Sequence, residues 1–297
     1  MAWRGLHITK SCKLNLADGQ IVVRQDDGEV RLALEDVAWI VLDAPQSTVS
    51  STLLSACMTA GIALIVSDSK HTPCGVMLPF HQHFRQGEIA QRQVSMGTPL
   101  KKRLWQKIVC AKIDNQAAAL SSIGRGGAQS LREMTKHVGS GDPSNVEARA
   151  ARYYWAQLWP EFRREDDGDK RNKLLNYGYA VVRSGVARAL VAAGLLPSLG
   201  LKHASVSNAF NLADDLVEPF RPFVDALAWQ IADEGRPSRD ELTVDERRSL
   251  AGALLTHASL ANETVTLLVA AERAANSLVR AIESNSPVLL ELPILAS

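Results

Sequence analysis

The sequence predicts an α+β protein in which a small, mainly β N-terminal domain, with antiparallel strands and one helix, precedes a larger all-α domain. Short segments rich in β-branched residues fill the first part of the chain, separated by an Ala-Asp-Gly turn at 17–19 and an Asp-Asp-Gly turn at 26–28. The composition becomes polar around 81–100, and apolar residues recur at helical spacing after it. These observations place the N-terminal domain at 1–83, a linker at 84–100 and the helical domain at 101–297.

The N-terminal domain has a predicted order of elements. We expect strands near 5–9, 12–16, 20–25, 30–34 and 38–42. A helix at 47–60, with Ser47 as its cap and Gly61 as its stop, precedes a buried strand at 62–66 and a further strand at 75–79. Because no cluster of catalytic residue types falls here, we expect this domain to serve as a scaffold or dimer interface.

Composition indicates an ordinary globular protein. The chain of 297 residues is 46% hydrophobic and 22% charged, and its length favours two domains. Its longest uncharged apolar run, 189–201, is too short to cross a bilayer. The first residues lack the apolar core of a secretory signal, and the four cysteines form no CxxC pair. We therefore expect a cytoplasmic protein with reduced thiols and no membrane contact.

Positive charge is concentrated in the middle of the chain, although the net charge is only +1. Residues 1–90 contain 7 Lys/Arg and 9 Asp/Glu (−2), residues 91–203 contain 19 and 9 (+10), and residues 204–297 contain 7 and 14 (−7). Such segregation is typical of a phosphate-binding surface, because affinity for polyanions comes from local Lys and Arg contacts. The same cations could instead pair with the acidic last third inside the fold, and charge alone favours neither interpretation.

The first candidate site lies in the stretch 201–222, which carries His203 and the carboxylates of Asp214, Asp215 and Glu218. Helical geometry places the acids on one face, opposite an apolar face. Asp215 and Glu218 are three residues apart, so their like charges lie on adjacent turns, an arrangement that a bound cation would relieve. Taken alone, the pattern favours a solvated helix face over half of a divalent-metal site.

A further candidate carboxylate, Glu147, lies at the start of a helix that follows a Gly- and Pro-containing loop. Ser144 and Glu147 have the spacing of a capping box, in which Glu147 bonds to a backbone N–H. Alternatively, Asp142 caps the helix, Pro143 takes its first position and Glu147 is free. The spacing alone favours the capping box.

Together, Glu147, His203, Asp215 and Glu218 offer one imidazole and several carboxylates, a donor set that suits Mg²⁺ or Mn²⁺. The scattered cysteines argue against zinc. An ion with open positions can activate a hydroxyl and stabilise charge on a phosphoryl group, so beside the basic part of the chain this set suggests phosphodiester attack on DNA. Two other functions stay open: a non-catalytic DNA-binding scaffold, and a metal-dependent hydrolase of small phosphate esters.

Four phrases, in this order and spacing, resemble the CRISPR spacer integrase, the universal adaptation endonuclease of CRISPR systems. They are Asn-Val-Glu at 145–147 before Ala-Ala at 150–151, Leu-Asn-Tyr-Gly-Tyr-Ala-Val-Val-Arg at 175–183, Leu-Lys-His at 201–203 and Asp-Leu-Val-Glu-Pro-Phe-Arg-Pro at 215–222. The ordered set is specific, and the resemblance covers the whole chain. The short, unfused chain is most similar to integrases of type II systems, which accompany a single-protein effector nuclease.

The resemblance implies a catalytic site in which Glu147, His203 and Glu218 hold Mn²⁺ or Mg²⁺ and Asp215 has a supporting role. It also implies close packing of residues 176–179 behind the site. Members form homodimers, two of which are bridged by a dimer of a small second adaptation protein into a heterohexamer, and the type II effector nuclease is a further candidate partner. They join the 3′-hydroxyl ends of a short double-stranded DNA fragment to a repeat by transesterification.

Overall fold

The computed structural model describes residues 3–232 and 236–296. Residues 1–2, 233–235 and 297 fall inside the predicted domain limits but outside the described residues. The elements of the N-terminal part are β1 (Arg4–Ile8), β2 (Lys13–Ala17), β3 (Gln20–Gln25), β4 (Gly28–Ala33), β5 (Val37–Leu42), β6 (Thr48–Val49), α1 (Ser51–Ala60), β7 (Ala63–Ser67) and β8 (Pro73–Met77). The predicted strands are present, displaced by one or two residues. Helix α1 begins later than predicted, because Ser50 rather than Ser47 is its cap, and it ends at Gly61 as predicted.

The N-terminal strands form two four-stranded sheets, and the prediction that they are antiparallel is wrong for part of each, since β6 also lies parallel to β2. In the sheet ordered β4-β3-β2-β6, the hairpins β2–β3 and β3–β4 are antiparallel, as their turns predict. In the sheet ordered β1-β5-β7-β8, β5 lies parallel to both β1 and β7. The chain leaves β1 to build the other sheet before it returns as β5, and α1 then connects β5 to β7. Parallel strands covered on both faces have unbroken apolar sequences, as β5 does.

The second part of the chain is mainly helical and begins earlier than predicted. Its elements are α2 (Gln86–Val94), α3 (Thr98–Ser122), α4 (Ala128–Thr135), α5 (Val146–Leu158), α6 (Lys170–Ala192), α7 (Asn211–Val217), α8 (Arg221–Ile231), α9 (Val244–Ala251), β9 (His257–Leu260), β10 (Glu263–Thr266) and α10 (Leu267–Glu283). The segment 84–100, predicted to be a linker, contains α2. Its polar composition comes from the exposed side of α2, while Ile89 and Gln93 are buried against the helical body.

The hairpin of β9 and β10 corrects the prediction that the second part is all-α. Its two-residue loop, Ala261 and Asn262, has positive φ at both positions (50° and 65°), which is the backbone conformation of a type I′ turn. The strands are short, and the residues around them have helical spacing, so the sequence pattern predicts a helix there instead of a hairpin. None of the described helices is long and apolar enough to cross a bilayer. All four cysteines are free thiols, as predicted.

The residues after α10 pack onto the helical body. Ser259 pairs with Ile294 as an isolated β-bridge. On α3, the buried Asn115 donates from Nδ2 to the carbonyl oxygens of Pro219 (2.7 Å) and Pro293 (2.9 Å), and its Oδ1 accepts from the Leu295 N–H (3.0 Å). One amide therefore joins the end of the chain to the turn that follows α7.

Two glycines of α6 allow neighbouring helices to approach closely. A Cβ on Gly178 would lie 2.5 Å from Cγ1 of Val224, and one on Gly185 would lie 2.5 Å from Cδ2 of Leu254. Neither position has room for a side chain, which confirms the close approach that glycines in a helix suggest.

The two parts of the chain are joined at Asp43, whose side chain is fully buried. Its carboxylate accepts from Arg247 Nε (2.7 Å) on α9, and it also contacts His7 Nε2 (3.2 Å) and His71 Nδ1 (3.0 Å). Burial alone would raise the pKa of Asp43, but the hydrogen bonds from His7 and Arg247 outweigh it and lower this pKa to about 2. A buried ionised carboxylate thus holds the sheets to the helical body.

Candidate metal centre

In the loop before α5, Asp142 caps the helix, so the side chain of Glu147 is not used for capping. Asp142, rather than Ser144, caps the helix: its Oδ1 accepts from the Val146 N–H and its Oδ2 from the Glu147 N–H, both at 2.9 Å. Asn145 takes a left-handed conformation with φ of 49°, which lets the chain turn into the helix. The capping box favoured by the sequence is therefore wrong. The alternative is right in that Asp142 binds the first N–H groups of the helix, but wrong in placing Pro143 at its first position, because α5 begins at Val146.

Glu147 and Glu218 converge on a single ammonium group. Lys112, from the middle of α3, places Nζ 2.7 Å from Oε1 of Glu147 and 2.5 Å from Oε2 of Glu218. Burial alone lowers the pKa of Lys112, but Glu218 and Glu147 outweigh it and raise this pKa above its usual value. The position between the two carboxylates is thus one that a cation favours.

Glu218 lies in a 3-10 turn, Glu218–Phe220, between α7 and α8, and is only 6% exposed. Its Oε1 is 2.9 Å from Nε of Arg221. Burial raises the pKa of Glu218, but Lys112 and Arg221 together lower it below its usual value. Its Oε2 is buried and lies 2.5 Å from the Lys112 ammonium. Both oxygens of this carboxylate are therefore held by cationic side chains.

Asp215 holds His203 in one orientation. Fully buried, it accepts through Oδ2 from the N–H groups of Leu201 (2.6 Å) and Lys202 (3.0 Å), and through Oδ1 from the N–H of His203 (3.1 Å). The same Oδ1 lies 2.6 Å from His203 Nδ1, and this hydrogen bond raises the pKa of His203. A Cβ on Gly200 would lie 2.9 Å from Oδ2 of Asp215, so the turn requires glycine. With Nδ1 engaged, Nε2 is the nitrogen of His203 that is left for a ligand.

The solvated face that the helical pattern favoured is therefore wrong for Asp215 and Glu218, which are buried. Asp214 differs from them, because it accepts from Nε and Nη2 of Arg183 and from Nδ2 of Asn208, the last at 2.6 Å. The helical wheel could not show that α7 contacts both α3 and α6 and that its acids are therefore covered by the fold.

The side chains of the site are of the kinds that bind divalent cations, although the described residues contain no group of three or more His, Cys, Asp or Glu side chains arranged to hold one. Glu147 and Glu218 share one cation, the Lys112 ammonium. The charge of Glu218 raises the pKa of His203 further, so these side chains interact electrostatically. Carboxylate and imidazole donors of this kind suit Mg²⁺ or Mn²⁺.

Lys112 and Arg221 are site residues that sequence reasoning missed. The one signal for Lys112 is its place as a charge within the mostly apolar stretch 108–120 of α3. Arg221 stacks over the ring of Tyr179 at 4.6 Å. The hydroxyl groups of Tyr179 and Tyr154 both donate to Asp225, whose burial raises its pKa to about 6.

This network lies behind Glu218, where the resemblance implies close packing of residues 176–179. Gly178 packs on Val224, and Tyr179 reaches Asp225. Lys112 and residues of this network line one cavity of about 210 Å³, which Gln116 and Arg164 also line.

The basic middle of the chain divides into paired and unpaired cations. The pairs with acids of the last third are Lys112–Glu218, Lys170–Glu246, Lys173–Glu241, Arg183–Asp214 and Arg188–Glu272. Lys102, Arg103, Arg149 and Arg152 are exposed and form no ion pair with the residues that the structure describes. Internal pairing therefore accounts for part of the cations, and phosphate binding stays a prediction for the exposed ones.

The chain is similar to known proteins over most of its length. A family profile described as "CRISPR associated protein Cas1" matches residues 6–262. A CRISPR-associated endonuclease Cas1 from Neisseria meningitidis serogroup C is 37% identical over 294 residues, which cover 99% of this chain and 96% of that protein. A CRISPR-associated endonuclease Cas1 from Pyrobaculum aerophilum is 28% identical over 258 residues, which cover 82% of this chain and 87% of that protein.

Solved structures share the fold at low sequence identity. A casposase bound to integration product superposes with a TM-score of 0.78 at 18% identity, covering 96% of this chain and 92% of that chain. A Cas1 protein from Thermotoga maritima gives a TM-score of 0.71 at 17% identity, covering 94% and 97%. A Cas6-RT-Cas1–Cas2 complex gives 0.73 at 19% identity, covering 97% of this chain and 36% of that chain. These likenesses concern the fold, a β-rich N-terminal part followed by a helical part.

Proposed function

Because the chain belongs to the Cas1 family of CRISPR-associated proteins, we propose that it is a divalent-metal-dependent DNA integrase and endonuclease. In this proposal it inserts short foreign DNA fragments into a CRISPR array by attack of their 3′-hydroxyl ends on a phosphodiester. The names of its relatives, CRISPR-associated endonuclease Cas1, support a nuclease, and the likeness to a casposase bound to integration product supports an integrase.

The observation that carries the proposal is the convergence of Glu147 and Glu218 on one buried cation position, now held by the Lys112 ammonium. These residues come from α5 and the turn after α7, so only the folded chain brings them together. A solvated helix face, which the non-catalytic scaffold requires, does not account for a Glu218 that is 6% exposed and shares the Lys112 ammonium with Glu147.

Each residue of the site has a proposed role. Glu147 and Glu218 would hold Mn²⁺ or Mg²⁺ through carboxylate oxygens, and His203 would hold it through Nε2. When bound, the ion supplies a Lewis acid that polarises the phosphodiester and activates the attacking hydroxyl. Asp215 keeps His203 in the tautomer that carries its proton on Nδ1. The exposed cations of α3 and α5 would bind DNA phosphates, which gives affinity that falls with salt.

The proposed partners are double-stranded DNA, as fragment and as repeat, a second copy of the chain, and the small second adaptation protein. The likeness to a Cas6-RT-Cas1–Cas2 complex supports an assembly with Cas2, for which we propose a heterohexamer of two homodimers and a Cas2 dimer. The 37% identity to the Neisseria meningitidis protein supports assignment to a type II system, with the effector nuclease as a further partner. We place the protein in the cytoplasm, where its DNA substrate is.

Strand transfer of a short duplex into a supercoiled plasmid carrying a repeat tests the proposal. The wild-type protein with Mn²⁺ should form joined product and EDTA should abolish it, while Glu147→Ala, His203→Ala and Glu218→Ala should each lower the rate by at least about 100-fold. Glu133→Ala, which removes an exposed carboxylate paired with Lys136, is the matched control and should retain the rate.

Two results would contradict the proposal in different ways. Folded Glu147→Ala that joins ends at the wild-type rate would refute the site. DNA binding by the wild-type protein without any metal-dependent product would favour the non-catalytic scaffold, and turnover of small phosphate esters without salt-sensitive DNA affinity would favour the hydrolase.

A further inference from the structure

Lys112 occupies the position that the proposed metal ion needs. Its Nζ lies 2.7 Å from Glu147 and 2.5 Å from Glu218, and its side chain is only 13% exposed. A divalent ion held by the same two carboxylates would lie within a few ångströms of the ammonium, and like charges at that separation in a buried site repel strongly. The ammonium and the ion are therefore alternative occupants of one position.

A second partner for the Lys112 ammonium lies one turn further along α3. Gln116 follows Lys112 by four residues, so both side chains share one face of the helix. Gln116 is 3% exposed, and its Oε1 is buried without a hydrogen-bond partner. Both residues line the cavity of about 210 Å³ beside Glu218. A buried acceptor without a partner costs free energy, and a lysine side chain is long and flexible enough to reach it.

We propose that Lys112 is an exchangeable internal counter-ion: it neutralises Glu147 and Glu218 in the metal-free protein and moves its ammonium to Gln116 Oε1 when the divalent ion binds. This inference rests on the proposed metal site. It explains why two carboxylates share one lysine ammonium, and why a buried acceptor next to them lacks a partner. It also implies that metal affinity is set partly by the ammonium that the ion displaces.

Mn²⁺ binding and thermal unfolding of the full chain test the exchange without any activity measurement. Lys112→Met keeps the length of the side chain and removes its charge. In EDTA this variant should melt at a lower temperature than the wild type, because the buried Glu218 and the partly exposed Glu147 lose their shared counter-ion. In calorimetric titration it should bind Mn²⁺ at least about tenfold more tightly, and Mn²⁺ should raise its Tm by more than it raises that of the wild type.

Two further variants complete the experiment. Gln116→Met removes the alternative acceptor, so it should weaken Mn²⁺ binding at least about threefold without lowering the Tm in EDTA. If Lys112→Met does not fold, this variant alone tests whether the Lys112 ammonium moves to Gln116 when Mn²⁺ binds. Lys136→Met removes the ammonium of an exposed pair with Glu133 and should change neither quantity.

The outcomes separate this inference from the proposed function. If the wild type binds Mn²⁺ and Glu147→Ala does not, but Lys112→Met and Gln116→Met bind as the wild type does, the exchange is refuted while the metal site stands. If the wild type binds no Mn²⁺, or Glu147→Ala leaves binding unchanged, the metal site itself is refuted, and the exchange with it.

Discussion

Replacing Asp215 by asparagine should prevent His203 from binding a metal ion through Nε2, although the histidine itself is still present. The carboxylate accepts the N–H groups of Leu201, Lys202 and His203 and contacts Nδ1 of His203. An asparagine has one oxygen and one NH₂ group, so if its oxygen faces Leu201 and Lys202, its NH₂ faces the N–H of His203 and Nδ1. That N–H loses its acceptor, and Nδ1 must accept rather than donate. The proton then moves to Nε2, the nitrogen that a metal ion needs.

The size of the effect follows from these contacts. A buried donor without a partner costs about 1–3 kcal/mol, and each lost hydrogen bond to a charged group costs about 1.5–3 kcal/mol, so we expect a loss of unfolding free energy of about 3 kcal/mol. Loss of the group that orients a metal-binding histidine typically lowers activity by about 10- to 100-fold. We therefore expect strand transfer by Asp215→Asn to fall by that factor while the folded protein still binds DNA.

Asp214→Asn is the matched control, since it makes the same change at the neighbouring position. Asp214 pairs with Arg183 and Asn208 rather than with the His203 turn, so its loss should cost about 1 kcal/mol and leave the strand-transfer rate within about threefold. Strand transfer with Mn²⁺ and urea unfolding measure the two effects. A wild-type rate in Asp215→Asn, or an equal loss of rate in both variants, would refute the orienting role.

Three further predictions concern packing, acid stability and capping. Gly178→Ala should lower the free energy of unfolding by about 1–3 kcal/mol, because its Cβ would meet Val224, and Gly178→Ala combined with Val224→Ala should recover part of this in urea unfolding. The pKa of Asp43 is about 2 in the folded chain and 3.8 ordinarily, so Asp43 stabilises the fold above about pH 4 and this contribution of about 2 kcal/mol disappears between pH 4 and pH 2. In urea unfolding, the free energy of unfolding of Asp43→Asn should fall less than that of the wild type between pH 4 and pH 2. An equal fall in both proteins would contradict this role of Asp43. Asp142→Ala should lower stability by about 1–2 kcal/mol through the lost cap of α5, whereas Ser144→Ala should not, and a thermal melt distinguishes them.

The class of the fold could be predicted from local sequence patterns, but the pairing of strands within the sheets could not. Hairpins such as β2–β3 can be predicted from the turn residues that lie between their two strands. The parallel pairing of β1 with β5 joins strands separated by the whole β2–β3–β4 meander, and no local signal specifies it. The sequence does not predict the β9–β10 hairpin, because each strand has only four residues and is shorter than the window over which helical spacing is recognised.

The candidate site shows the same division. His203 and Glu218 could be predicted as site residues because they fall in the ordered phrases of the family. Helical spacing alone placed Glu218 on a solvent-exposed helix face. Spacing also chose the wrong cap for α5, because the reach of Asp142 depends on a left-handed Asn145 that no periodicity reveals. Lys112 was one basic residue among many on α3, and only its burial between two carboxylates distinguishes it.

The amide of Asn115 links the candidate site to a distant segment of the chain. It bonds Pro219, the residue after Glu218, and also Pro293 and Leu295. The turn that carries Glu218 and the segment at 293–295 therefore share one buried side chain on α3. Loss of this amide would free both segments at once, so the position of Glu218 depends on residues far along the chain from it.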